Sequence, residues 1–282
     1  MSGKTATFKA LAKLLDRPLI LESITSVTVS GIVGRDITDI LAHAIRECNN
    51  DVSQAEKAII LIDEFDKTAR NLQTTSGRDV AGIALQQEFL KLLEGDKIQV
   101  QLGNKHSPLL DNTVEINTNN ILFVLSGAFV GLDQVVKNRI NKKRIGFGHE
   151  DKKYTTDELL QQVIVDDLIA YGLIPELVGR IPQIVIYNQL TENDLIKILT
   201  EPKNAIIKQY QELFQMDNVN LQFTTEVLQL IAKLAINKKT NARGLKSIVS
   251  SALSKIEYDI PDRNDIDSII ITNQLTDNLN LK

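Results

Sequence analysis

Asp63 and Glu64 stand side by side at the end of the apolar run Ala58-Ile59-Ile60-Leu61-Ile62. A buried strand cannot hold two unpaired anions in its core. The pair is therefore predicted where the sheet stops, facing water, a cation or a ligand, and ligand sites of open α/β sheets lie at the carboxyl ends of the strands. In phosphoryl-transfer ATPases the first acid of such a pair holds Mg2+ and the second can orient the attacking water. An ordinary strand with capping or surface acids has the same pattern, so a matching phosphate loop has to decide between the two.

Ser2-Gly3-Lys4-Thr5 supplies half of one. It fits the end of G-x-x-x-x-G-K-[ST], in which backbone N–H groups cradle phosphates, the lysine reaches the outer ones and the hydroxyl binds Mg2+. The first glycine would lie five residues ahead of Gly3, before Met1. The expectation is thus a truncated P-loop without its leading strand, against a chance Gly-Lys-Thr. A second buried strand, residues 121–125, ends in Ser126. From there a polar side chain could sense a γ-phosphate beside Asp63 and Glu64, or simply terminate a strand.

The surrounding pattern is α/β. Phe8, Leu11, Leu14 and Leu15 have helical spacing, and Pro18 ends that helix before a strand. Ile37, Ile40, Leu41, Ala44, Ile45 and Cys48 form the apolar stripe of another helix. That stripe places Cys48 in a core rather than at a reactive site, and His43 on the solvated side. A long polar loop spans residues 68–78, a helix residues 80–93, and two short β runs flank residues 103–108 as a hairpin. Residues 137–144 are basic and read as a solvated surface. They lead into Ile145-Gly146-Phe147-Gly148, where apolar side chains between glycines suggest a plug for a socket on a partner. Thr155 and Glu158 spell a capping box. Residues 183–187 (QIVIY) read as a short strand. From residue 188 helices dominate, at 191–200 with Thr191 as N-cap, 203–215, 224–236 and 243–257, before a last strand at 268–271. The predicted domains are residues 1–187 and 188–282.

Bulk properties narrow the partners. A chain of 282 residues with 43% hydrophobic and 24% charged side chains is expected to be a soluble protein of about two domains. Net charge of −4 gives no electrostatic case for nucleic acid. A single cysteine excludes an internal disulfide and any CxxC zinc site. Together with the lack of a signal-peptide pattern or a membrane-length apolar run, it predicts a cytoplasmic protein without zinc or membrane contact.

The stretches IDEFDK, RDVAGIALQQEFLKLLEG, GAFVGLD, IGFG, GLIPELVGRIP, EPKNAIIKQYQ and NARGLKSIV follow one another in an order that resembles the ClpX branch of the AAA+ unfoldases through essentially the whole chain. The resemblance implies an AAA+ P-loop-type large domain, a parallel sheet flanked by helices with its first strand missing, and a small mainly helical C-terminal domain. It implies that Ser2, Gly3, Lys4 and Thr5 hold ATP phosphates and that Thr5 and Asp63 hold Mg2+. Glu64 would activate water. Arg180 would be a finger reaching a neighbour's ATP, and Arg243 the arginine reporting nucleotide state to the small domain. Ile32 and Val33 would line a central pore, with Ile32 where the family usually has an aromatic. Arg78 would belong to a second pore loop, and Lys105 and His106 to an entrance loop. Ile145, Gly146 and Phe147 would dock on a ClpP-like peptidase. The implied assembly is a homo-hexamer that unfolds tagged or unfolded proteins. The rival expectation is a truncated paralogue that joins rings or binds the peptidase without turning over ATP.

Overall fold

In a computed structural model of the chain the described residues are 3–27, 36–69, 78–102, 113–142, 154–238, 240–263 and 265–272. The chain divides into two compact units, Lys4–Ile186 and Tyr187–Lys282 with Met1–Gly3, each with its own apolar core. Among the described residues no helix is long and apolar enough to cross a membrane.

The first unit runs α1 (Lys4–Leu15), β1 (Leu19–Ser23), α2 (Thr38–Glu47), α3 (Val52–Ala55), β2 (Ile59–Asp63), α4 (Arg78–Leu93), β3 (Lys97–Gln101), β4 (Thr113–Asn117), β5 (Leu122–Leu125), α5 (Leu132–Lys142), α6 (Thr156–Leu160), α7 (Val165–Tyr171) and α8 (Pro175–Gly179). The strands β1, β2 and β5 form a parallel sheet in that order, with Ser23 beside Asp63 and Ile62 beside Leu125. Ile59, Ile60, Leu61 and Ile62 are all buried, as a strand covered on both faces requires. Ile37, Ile40, Leu41, Ala44, Ile45 and Cys48 are buried as their helical spacing predicts. The β3–β4 pair is the expected antiparallel hairpin. Phe89 of α4 meets Phe65 edge-on at 5.4 Å and Phe123 of β5 at 5.8 Å, which locks the turn after β2 to both helix and sheet.

Three expectations need correction. Residues 183–187 have strand-forming side chains but no regular structure. Apolar alternation does not make a strand without a hydrogen-bonding neighbour, and among the described residues no strand pairs with them; Ile184 packs on the core while Val185 is exposed. His43 is not simply solvated: its Nδ1 lies 2.5 Å from Oε1 of the buried Glu22, and its Nε2 lies 3.4 Å from Glu47. A buried carboxylate requires such a partner. Nor is the basic stretch all surface. Arg139 of α5 grips the buried Asp167 with Nε and Nη2 at 2.7 and 3.0 Å, while Asp167 also accepts from the Ile164 N–H.

The second unit holds α9 (Glu192–Thr200), α10 (Ile206–Met216), β6 (Asn220–Phe223), α11 (Thr225–Asn237), α12 (Ala242–Asp259) and β7 (Ser268–Ile271). The capping boxes at Thr155 and Thr191 are both formed. The final strand, β7, pairs in parallel with β6, which four residues between two helices did not announce.

Candidate functional site

The site is assembled at the carboxyl end of the parallel sheet. Glu64 takes the left-handed conformation, φ 61°, and caps a 3-10 turn, Phe65–Thr68. That sharp reversal turns the chain off the end of β2 and leaves Asp63 and Glu64 partly exposed while Phe65 drops back into the core. An L-residue adopts such a conformation only where the surroundings impose it.

Asp63 Oδ1 accepts from the Glu64 N–H at 3.0 Å and from Ser126 Oγ at 2.8 Å. Ser126, read from sequence as either a sensor or a strand end, therefore ends its strand against the first acid. The next residue, Gly127, accepts through its carbonyl from Lys4 Nζ. Lys4, Gly127, Ser126, Asp63 and Glu64 thus form one connected line between the start of α1 and the end of β2. Gly127 is needed there because a Cβ would lie 2.3 Å from Asp66 Oδ1, and Asp66 Oδ2 accepts from the Phe129 N–H at 3.2 Å.

Sequence reasoning missed several groups around Glu64. Lys67 Nζ donates to its Oε2 at 2.7 Å, and the hydroxyls of Thr25 and Ser23 stand 3.4 and 3.5 Å from the same oxygen. The Lys67 ammonium is the main reason the Glu64 carboxyl is held below the usual carboxylate range; the Thr25 hydroxyl acts in the same sense, and desolvation and, less strongly, the Asp63 charge oppose it. Lys67 and Asp66 lie inside the IDEFDK stretch and could have been singled out. Ser23 and Thr25 depend on strand register, which no local pattern encodes.

The family model described as AAA domain (Cdc48 subfamily) matches residues 1–184, and that of the C-terminal, D2-small domain of ClpB protein matches residues 190–259. An ATP-dependent Clp protease ATP-binding subunit ClpX from Treponema denticola is 44% identical over the whole chain, which covers 69% of that relative. A protein of the same name from Borrelia duttonii is 42% identical over the whole chain, covering 66% of its length. This chain belongs to the ClpX family of AAA+ ATPases. It spans about two thirds of the length of these relatives.

Of the positions singled out from the sequence, Lys4, Asp63, Glu64 and Ser126 are brought together, with Thr5 one residue on in the first turn of α1 and Gly3 just before it at φ 80°. Arg180 follows α8 and pairs with Glu94 at 3.3 Å, both partly exposed. Arg243 is exposed in the first turn of α12, which carries no acid there. A cation at a helix N-terminus opposes the macrodipole, so local helix energetics do not account for it. Gly244 beside it is held close to Thr240, whose Oγ1 a Cβ would meet at 1.9 Å. Arg78 opens α4. Ser2, Ile32, Val33, Lys105, His106, Ile145, Gly146 and Phe147 lie outside the described residues.

These groups fit a Mg2+-nucleotide. Among the described residues no cluster of three or more acidic, histidine or cysteine side chains could cage an ion. Mg2+ bound with phosphates needs only one or two carboxylates and keeps water and phosphate oxygens as its other ligands. One acid at the strand end, a lysine and a helix N-terminus are that kind of donor set.

Proposed function

We propose that the chain is an ATP-dependent protein unfoldase subunit, and the line Lys4–Gly127–Ser126–Asp63–Glu64 is the observation that carries the reading. Bound Mg2+-ATP supplies the scissile γ-phosphate and the cation that offsets its charge. Lys4 gives up the Gly127 carbonyl for phosphate oxygens, and the first-turn N–H groups of α1 with the Gly3 backbone support the same charge. Thr5 and Asp63 offer oxygens to Mg2+, while Ser126 holds Asp63 in place and senses the γ-phosphate. Glu64, ionised at neutral pH, accepts the proton of the attacking water.

Arg180 acts in trans, which demands a ring; a homo-hexamer is the assembly proposed. Arg243 reports nucleotide state to the small domain, with the domains taken as residues 1–187 and 188–282. Ile32, Val33 and Arg78, with Lys105 and His106 at the entrance, grip an unfolded or tagged polypeptide, and Ile145, Gly146 and Phe147 dock on a ClpP-like peptidase in the cytoplasm. The ClpX names of the relatives support this assignment.

The test is ATP turnover and peptidase-coupled degradation of an unfolded protein by the purified chain and by Glu64→Gln. The variant is expected to bind nucleotide and lose turnover. Turnover near that of the parent would remove Glu64 from its role, and peptidase binding without nucleotide binding would mark a docking subunit instead.

A further inference from the structure

Gln86 lies on α4 with no exposed surface, and its amide joins two backbone segments far apart in sequence. Nε2 donates to the Thr68 carbonyl at 2.8 Å, and Oε1 accepts from the Ile174 N–H at 2.9 Å. Thr68 closes the 3-10 turn that begins after Glu64, and its own hydroxyl donates back to the Phe65 carbonyl at 2.8 Å. Ile174 caps α8, its carbonyl accepting from Leu177 and Val178. One turn later that short helix delivers Arg180. Each end of α4 therefore touches one end of this path. Gly82 brings the helix so near the turn that a Cβ would sit 2.6 Å from the Thr68 carbonyl, and Glu94, just past α4, holds Arg180.

We propose that Gln86 is a positioning residue through which the acid turn of one subunit sets the place of its own Arg180, and so the rate of hydrolysis in the neighbouring subunit. This rests on Arg180 acting in trans. A buried side-chain amide with both polar ends satisfied has one low-energy geometry, because moving either segment alone leaves a buried backbone group unpaired. A displacement of the turn when nucleotide engages Glu64 is thereby passed to α8 as a rigid shift. Coupling of this kind travels through contiguous hydrogen bonds and packed elements, and here both are present.

The experiment places turnover and the finger in different subunits. Wild-type chain is mixed with an excess of a partner that cannot hydrolyse, carrying Glu64→Gln alone, Glu64→Gln with Gln86→Met, or Glu64→Gln with Arg180→Ala. ATP turnover is read per wild-type subunit, with ring mass and melting temperature measured for each mixture. Relative to Glu64→Gln alone, the Arg180→Ala partner is expected to lower turnover by about 10³-fold or more. The Gln86→Met partner is expected to lower it by about 10- to 100-fold, the scale of a small misplacement of a catalytic group. A purely structural amide leaves the neighbour's turnover unchanged once the partner is folded and in the ring. Should Gln86→Met not enter rings, Gln86→Leu, close to glutamine in volume and without either polar end, takes its place. A fall with Arg180→Ala but not with the Gln86 variants overturns the Gln86 link alone. A fall with neither overturns the trans-finger reading and this link with it, and no turnover in wild type overturns the ATPase reading on which both rest.

Discussion

Glu64 is useful as a base only while ionised, and Lys67 widens the pH range in which it is. The ammonium at 2.7 Å favours the carboxylate, and the folded pKa lies below the ordinary value. Protonation of Glu64 then removes activity only at a pH lower than an unassisted glutamate would give. Replacing Lys67 by Met takes away the principal donor and leaves the opposing Asp63 charge, so the pKa rises. The acid limb of kcat against pH is expected to move to higher pH, and a profile that does not move would show that Lys67 does not set it. Ser126→Ala removes the hydroxyl that orients Asp63. It is expected to weaken Mg2+-nucleotide binding, read as a higher half-saturating Mg2+ concentration at fixed ATP. An unchanged Mg2+ dependence would reduce Ser126 to a strand end.

The elements that carry these residues are held by interactions remote from the chemistry. The bidentate Arg139–Asp167 pair joins α5 to α7, with Asp167 almost fully buried. Breaking a buried pair by neutralising one member leaves the other charge uncompensated and costs about 3–5 kcal/mol. Arg139→Met, which strands the buried Asp167 charge, is therefore expected to lower the denaturation free energy of this unit by that order in urea titration. Exposed pairs such as Lys97–Glu115 are screened by water, so neutralising Lys97 is expected to change stability little. The same titration checks both.

On the scale of the whole molecule, two apolar cores predict two unfolding steps. Leu245→Ala removes a fully buried side chain from the second unit and is expected to cost about 2–5 kcal/mol there. In calorimetry the transition of that unit should fall while that of the first stays in place; a single transition that moves as a whole would show that the units unfold together. If Arg180 works in trans, turnover per subunit should also rise with protein concentration as rings form and then level off.

Features that depend on near neighbours in the chain are legible in the order of residues. The buried run ending in Asp63-Glu64, the stripe of α2, the caps at Thr155 and Thr191 and the hairpin of β3 and β4 follow from periodicity, side-chain shape and cap chemistry, and all are present. Long-range packing is what brings Ser126 to Asp63 and Thr25 and Ser23 to Glu64, ties Arg139 and His43 to buried acids, and leaves residues 183–187 without a strand. Those outcomes depend on strand register and on which distant segments share a core. Such pairings are set by total buried area and by satisfaction of polar groups over the whole chain, and a local pattern cannot carry them.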